Sequence, residues 1–332
     1  MSTSTTHTLH AVRRALVALG GVVRDGGGDH VLDLARDAAP GLRRAAVRVT
    51  GAPVARAVAA PASAVFEGFL DGLSRHAIVA HVRGAPVLVG TVAAAIRERV
   101  DGRMRTWGTP RVVHAVYAPG AWFDEGALCT QLADALAPLG LPLRELEPDR
   151  GSDAPRHPAT IAGAALIRLA RERDALEREC ALEWCATHAN RPLYVDGTLG
   201  RGARRLEAVG AIGVVKSHGT LYVADDAGAD CVFALGAGER TPVAHVLDGD
   251  VPSGVATWYL RLRDASGRDP FFGLVRVECA ARDRDAAALE AHADTVSAWL
   301  LAERSPVARP DAQWDVLPYA ARDVSRWLRA VA

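Results

Sequence analysis

The sequence predicts an α/β protein: a mixed β-sheet flanked by helices, with an N-terminal helical region. Three observations lead there. Residues 8–19 and 31–46 carry apolar side chains at helical spacing. Two strand-like runs then flank the turn-forming pair Arg83-Gly84. Beyond residue 159 a long helical pattern gives way to strand and helix in alternation, an order that suits helices packed on a mixed sheet.

The elements follow in order. The Ala/Pro-rich stretch GAPVARAVAAPASA connects the helical region, residues 1–58, to a main domain at 59–332. HAIVAHV and APVLVGTVAAAIRER read as adjacent antiparallel strands, the second running long, and RVVHAVYAP as another. Residues 125–139 are helical, and LEPDRGSDAPRHP is a polar loop. IAGAALIRLARERDALERECALEWCATH reads as one long helix with Leu169, Leu176, Cys180 and Trp184 near one face. It stops before Asn190 and Pro192. Strand LYVDGTL follows, then helix RGARRLEAV and strands AIGVVKSH and TLYVA. Strand TWYLRLRD, a turn at ASGRDP, strand FFGLVRVECA and two closing helices, RDAAALEAHADTVSAWLLAER and ARDVSRWLRAV, complete the chain.

Bulk composition narrows the function classes. Lys plus Arg equals Asp plus Glu at 39 each, which excludes a purely electrostatic nucleic-acid binder but leaves room for a local basic groove. Almost every cation is arginine; Lys216 is the only lysine. The five cysteines are scattered, with no CxxC pair, and read as reduced thiols of a cytosolic protein. The start, MSTSTTHTLHAVRRAL, lacks an apolar signal region, and no stretch approaches ~20 uncharged apolar residues. A cytoplasmic protein is the expectation.

LYVDGTL (193–199) raises the chemical question. Asp-Gly-Thr after an apolar strand is half of the dehalogenase-type phosphatase signature, but Tyr194 stands where the nucleophilic aspartate belongs. Asp196 instead sits where open α/β sheets place functional groups, at the carboxyl end of a strand, with a glycine beside it that lets a ligand or backbone approach. Asp71-Gly72 repeats the dipeptide after VFEGFL. Two such carboxylates, joined by a glutamate from the long helix, could hold Mg²⁺ or Mn²⁺, hard cations that prefer oxygen ligands. That helix offers Glu172, Glu177, Glu179 and Glu183; Glu172, Glu179 and Glu183 share one flank of its apolar stripe and Glu177 lies on the other, and helical phase alone does not choose among them.

Further candidates lie downstream. Lys216 and His218 end a strand, where a compact ammonium suits a phosphate and an imidazole can position water. Arg276 and Glu278 share one face of VRVE, and Arg261 and Arg263 one face of WYLRLRD. A groove with Arg261, Arg276 and Lys216 would suit a phosphate backbone; a cross-strand ion pair on an exposed sheet face is the alternative.

In order along the chain, FLDGL (69–73), LERE (176–179) leading into LYVDGTL, AIGVVKSH (211–218), and WYLRL with GLVRVE (273–278) resemble the NurA nuclease family over residues 60 to 330. The resemblance implies an RNase H-like core and a homodimer. It further implies Mn²⁺- or Mg²⁺-dependent cleavage of DNA during double-strand-break end processing, beside a HerA-type hexameric ATPase. By it Asp71 and Asp196 are metal ligands, with Glu177 the third and Glu179 in reserve. Lys216 sits by the scissile phosphate, and Arg276 and Glu278 belong to the DNA-facing or active-site shell. The family also places an active-site histidine near the C-terminus; here Tyr319 is the candidate substrate contact and no histidine follows it.

Overall fold

The structure is a computed structural model that describes residues 3–23, 43–59, 65–120, 127–146, 157–188, 191–199, 210–281, 284–304 and 319–332. Helix α1 (Thr3–Ala18) leads into β1 (Val22–Val23), and the short strands β2 (Arg43–Arg44), β3 (Val47–Val49) and β4 (Arg56–Ala57) follow. The helix expected at 8–19 thus lies almost wholly within α1. The one expected at 31–46 falls mostly outside the described residues, and its end is strand instead. Strands β1, β3 and β4 are hydrogen-bonded into the main sheet.

Strands β5 (Gly68–Val82), β6 (Ala85–Val100) and β7 (Arg103–Ala118) form a long antiparallel meander. Both connections are two-residue turns with positive φ at each residue, 50° and 81° at Arg83-Gly84 and 51° and 71° at Asp101-Gly102. That is the geometry whose twist matches flanking strands, and a glycine in the second place tolerates it. Helix α2 (Ala127–Leu136) and strand β8 (Leu143–Glu145) come next, and then the long helix α3 (Pro158–Thr187). Pro158 stands at its first position, where a missing N–H costs nothing, and the His157 side chain accepts from Ala159 N at 3.1 Å.

Helix α3 delivers the chain to β9 (Leu193–Asp196), and β10 (Ala211–Val215) lies beside it. The helix expected between them, RGARRLEAV, falls outside the described residues. After β11 (Thr220–Leu221) come helix α4 (Asp226–Ala234), capped by Asp225, and strands β12 (Glu239–Arg240), β13 (Ala244–Asp248), β14 (Val251–Arg261) and β15 (Leu274–Ala280). Helices α5 (Ala286–Glu303) and α6 (Tyr319–Val331) close the chain. Among the described residues no helix is long and apolar enough to cross a membrane.

These elements make an α/β protein built on one mixed sheet of 13 strands, with central order β13-β14-β15-β10-β9-β5-β6-β7. Strand β9 is parallel to both its neighbours, β5 and β10, and joins two antiparallel halves. Leu193, Tyr194 and Val195 are all buried, the unbroken apolar run of a strand covered on both faces. Register assigns the faces. Leu70, Val195, Gly213, Glu278 and Thr257 form one row across five strands. The next row, Asp71, Asp196, Val214, Val277 and Trp258, points the other way. Helices α5 and α6 pack on the Asp71 face over Tyr194, Val214, Val277 and Trp258. On the opposite face lie α3, through Cys180, Ala181 and Trp184, and α4, through Val232.

Candidate functional site

Strand β9 is short, and that makes the site. Its last residue paired with β5 is Val195, opposite Leu70. One position on, Asp71 and Asp196 stand side by side on the same face of adjacent parallel strands, whose backbones run about 5 Å apart. Beyond Asp196 the chain leaves the sheet at Gly197, whose φ of 137° excludes most side chains. Strand β5 continues past this point and β10 by one residue, so the two aspartates lie at the carboxyl end of β9, where open sheets collect ligand-binding groups.

Each carboxylate is held. Asp71 accepts from its neighbour's amide, Gly72 N, at 2.8 Å and from Ser325 Oγ of α6. Asp196 Oδ2 accepts from Lys216 Nζ at 2.5 Å; Lys216 follows β10 two residues beyond Val214, on the Asp196 face. Glu177 comes from α3 on the other side of the sheet. Its carboxylate lies against the bare Cα of Gly72, with Arg173, one turn earlier, at 3.3 Å. Its side chain is only 13% exposed.

The three carboxylates share one electrostatic field. Burial, and then the Asp196 charge, raise Asp71 from 3.8 to about 6, against the opposing pull of Ser325, Lys216 and Gly72. Burial raises Glu177 from 4.5 to about 8; Arg173 opposes this, while Asp174, Asp71 and Asp196 add to it. Among the described residues no three His, Cys, Asp or Glu side chains are drawn together at ligating distance. The two facts are compatible, because Coulomb coupling reaches further than a coordinate bond and because Lys216 and Ser325 hold the aspartates in this conformation. Carboxylate oxygens are the donors a hard divalent cation prefers, and two of these three groups are pushed toward protonation by burial and by neighbouring negative charge.

The loop after Asp196 is braced from the opposite face. Glu278 Oε2 accepts from Leu199 N at 2.8 Å, and Glu278 is in turn bonded to Arg276 Nη1. The Arg276 guanidinium lies 3.7 Å over the Tyr222 ring. Gly213 leaves room for this loop: a Cβ there would meet Gly197 O at 2.9 Å and Leu199 N at 3.2 Å.

Several candidates read from the sequence stand elsewhere. Arg276 and Glu278 are 2% and 4% exposed, so they are a buried pair within one strand, neither a DNA-facing surface nor an exposed cross-strand pair. Arg261 is fully buried; its guanidinium donates to Pro270 O and Phe272 O at 2.7 Å and reaches Leu235 O, at the carboxyl end of α4, at 3.3 Å. It lines no groove, because α4 covers that face, and the carbonyls of Pro270 and Phe272 with those at the end of α4 take the charge. Glu179 points outward and pairs with Arg111 at 2.8 Å, as does Glu183. His218 stacks on Phe271 at 5.0 Å and bonds Leu274 O at 3.1 Å through Nε2; burial lowers its pKa below the usual imidazole range. Tyr319 begins α6, and its side chain lies outside the described residues. Tyr194, in the place of a phosphatase nucleophile, is a core residue packed edge-on against Phe66 at 5.7 Å.

Sequence reasoning missed Ser325, Gly72 as the seat of the Glu177 carboxylate, and Arg173. Only Arg173 left a signal, the i,i+4 spacing to Glu177. Compared with protein-family models and with curated proteins, the chain matches none.

Proposed function

We propose that the chain is a divalent-metal-dependent nuclease that hydrolyses DNA phosphodiesters, built on an RNase H-like core like that of the NurA nucleases. One observation carries the reading: Asp71 and Asp196 stand in register at the end of β9, and Glu177 shares their field. The RNase H-like assignment is supported by the strand order β7-β6-β5-β9-β10: an antiparallel meander, followed through α3 by two strands that run parallel to its first strand.

Asp71, Asp196 and Glu177 would hold Mn²⁺ or Mg²⁺. Such a cation, when bound, polarises the phosphate and makes a bound water a stronger nucleophile. Lys216, beside Asp196, brings an ammonium to the scissile phosphate; Ser325 orients Asp71; Glu278 fixes the loop that follows Asp196. Action on DNA ends in the cytoplasm, as a homodimer beside a HerA-type ATPase, belongs to this reading through the sequence resemblance.

The test is Mn²⁺-dependent cleavage of linear single- and double-stranded DNA by the wild type and by Asp71→Ala and Asp196→Ala. The wild type should cut, and each variant should lose activity by about a hundredfold or more, since each removes charge from the cation site. A second reading, a non-catalytic DNA- or partner-binding module on the same fold, is favoured by the Lys216–Asp196 and Ser325–Asp71 bonds, which already satisfy both aspartates. No cleavage by the wild type with Mn²⁺ or Mg²⁺ selects that reading. Hydrolysis of a simple phosphomonoester with DNA left intact overturns both.

A further inference from the structure

Helix α6 is strongly amphipathic, and its three sides do different things. Ala321, Val324 and Leu328 are buried against the sheet. On one flank Asp323, the only acid in the helix, binds Arg97 at 2.7 Å, and Arg97 lies over Trp327 at 5.6 Å. On the other flank is Ser325, whose hydroxyl donates to Asp71. Arg322 and Arg329 are three residues before and four after Ser325, so they stand one turn below and one turn above it on that flank. Arg329 is exposed, and its carbonyl accepts from the guanidinium of Arg75 at 2.8 Å. Arg75 is four residues along β5 from Asp71, on the same face of the sheet.

A row of arginines therefore passes Asp71. The helix's own acid, Asp323, lies on the opposite flank, held by Arg97. A phosphate approaching Asp71 and Asp196 needs such a row, because carboxylates repel an anion before any cation attracts it. We infer that this flank of α6 is the rail for the DNA backbone: Arg322 and Arg329, with Arg75, grip phosphates on either side of the one presented to Asp71. The identity of the ligand rests on the nuclease reading; the rail itself is a binding surface and is tested without catalysis.

The experiment measures anisotropy of a labelled oligo(dT) with the full chain in EDTA, titrated across KCl from about 50 to about 200 mM, a range over which phosphate contacts are read as a salt slope. The variants are Arg329→Gln and the double Arg322→Gln/Arg329→Gln. Arg178→Gln, an exposed arginine of α3 across the sheet, is the charge-matched control. Thermal melting checks that each is folded. The slope of log K against log salt should fall by about 0.7 for each rail arginine removed and stay at the wild-type value in the control. The rail is overturned if the slope in Arg329→Gln equals the wild-type slope, if the control loses as much, or if the wild type binds no oligo(dT). A chain that never cuts DNA but shows the expected slopes keeps the rail and loses the nuclease reading.

Discussion

Gly72 and Glu177 are fitted so closely that a methyl group on Gly72 would come within 1.9 Å of Glu177 Oε1. Oε1 is the far end of a flexible side chain, so in Gly72→Ala it gives way at modest cost, on the order of 1 kcal/mol. The carboxylate leaves its place, however. Gly72→Ala should lose cleavage by tenfold or more while its urea midpoint stays near wild type. A variant whose stability collapses and whose activity per folded molecule is unchanged would reverse that account.

The raised acids set a pH dependence. Their folded values, about 6 for Asp71 and about 8 for Glu177, lie above the ordinary 3.8 and 4.5. The folded state therefore holds these protons more tightly than the unfolded chain. The stability they contribute is complete below about pH 4 and is lost as pH rises through 6 and then 8. A divalent cation competes with the same protons. Mn²⁺ should stabilise the fold more at about pH 8.5, by up to about 2.7 kcal/mol at a hundredfold excess over Kd, than at about pH 5.5, and so raise the melting temperature more. Equal shifts at the two pH values, followed by scanning calorimetry, would separate the ion from these carboxylates.

Glu177 and Glu179 are two residues apart and should behave differently. Glu177→Gln removes a carboxyl group that would ionise to take a cation and should cut Mn²⁺ affinity and cleavage at least tenfold. Glu179→Gln loses a half-exposed pair with Arg111 and should cost under about 1 kcal/mol with activity within twofold. Isothermal titration and cleavage rates on the same preparations decide it.

Glu278 is the counter-charge of a buried arginine. Glu278→Ala strands Arg276 in the interior and should destabilise by about 3–5 kcal/mol in urea denaturation. The double variant Arg276→Met/Glu278→Leu should recover most of that, because no charge is left unpaired. It should not recover cleavage, because Leu199 N has lost its acceptor. Full activity in the double variant would show that the brace is dispensable.

Much of this frame was legible in the chain, for physical reasons that vary by element. The meander could be read from long β-favouring runs on either side of Arg83-Gly84, and α3 from its spacing and its end before Pro192. The place of Asp196 at a strand end was legible from the apolar run before Asp-Gly, a pair that breaks a strand. Which glutamate of α3 lies against β5 was not, since it depends on which side of α3 meets that strand and hence on the phase of the whole packing. Arg261 and Arg276 misled for a related reason. Alternation along a strand says that two residues share a face, not what covers that face. Here α4 covers it at Arg261, and the sequence DAGADCVFA gives that helix little local signal. The strands β1, β2 and β4 span two residues each, too few to show any period.

The parallel strand between the two antiparallel halves has one more consequence. With four residues and partners on both sides, β9 cannot settle until residues far apart in the chain have already met. A nascent polypeptide that stops before residue 193 carries Asp71 without its neighbour. The acid pair thus forms only once strands distant in the chain have been made and have paired.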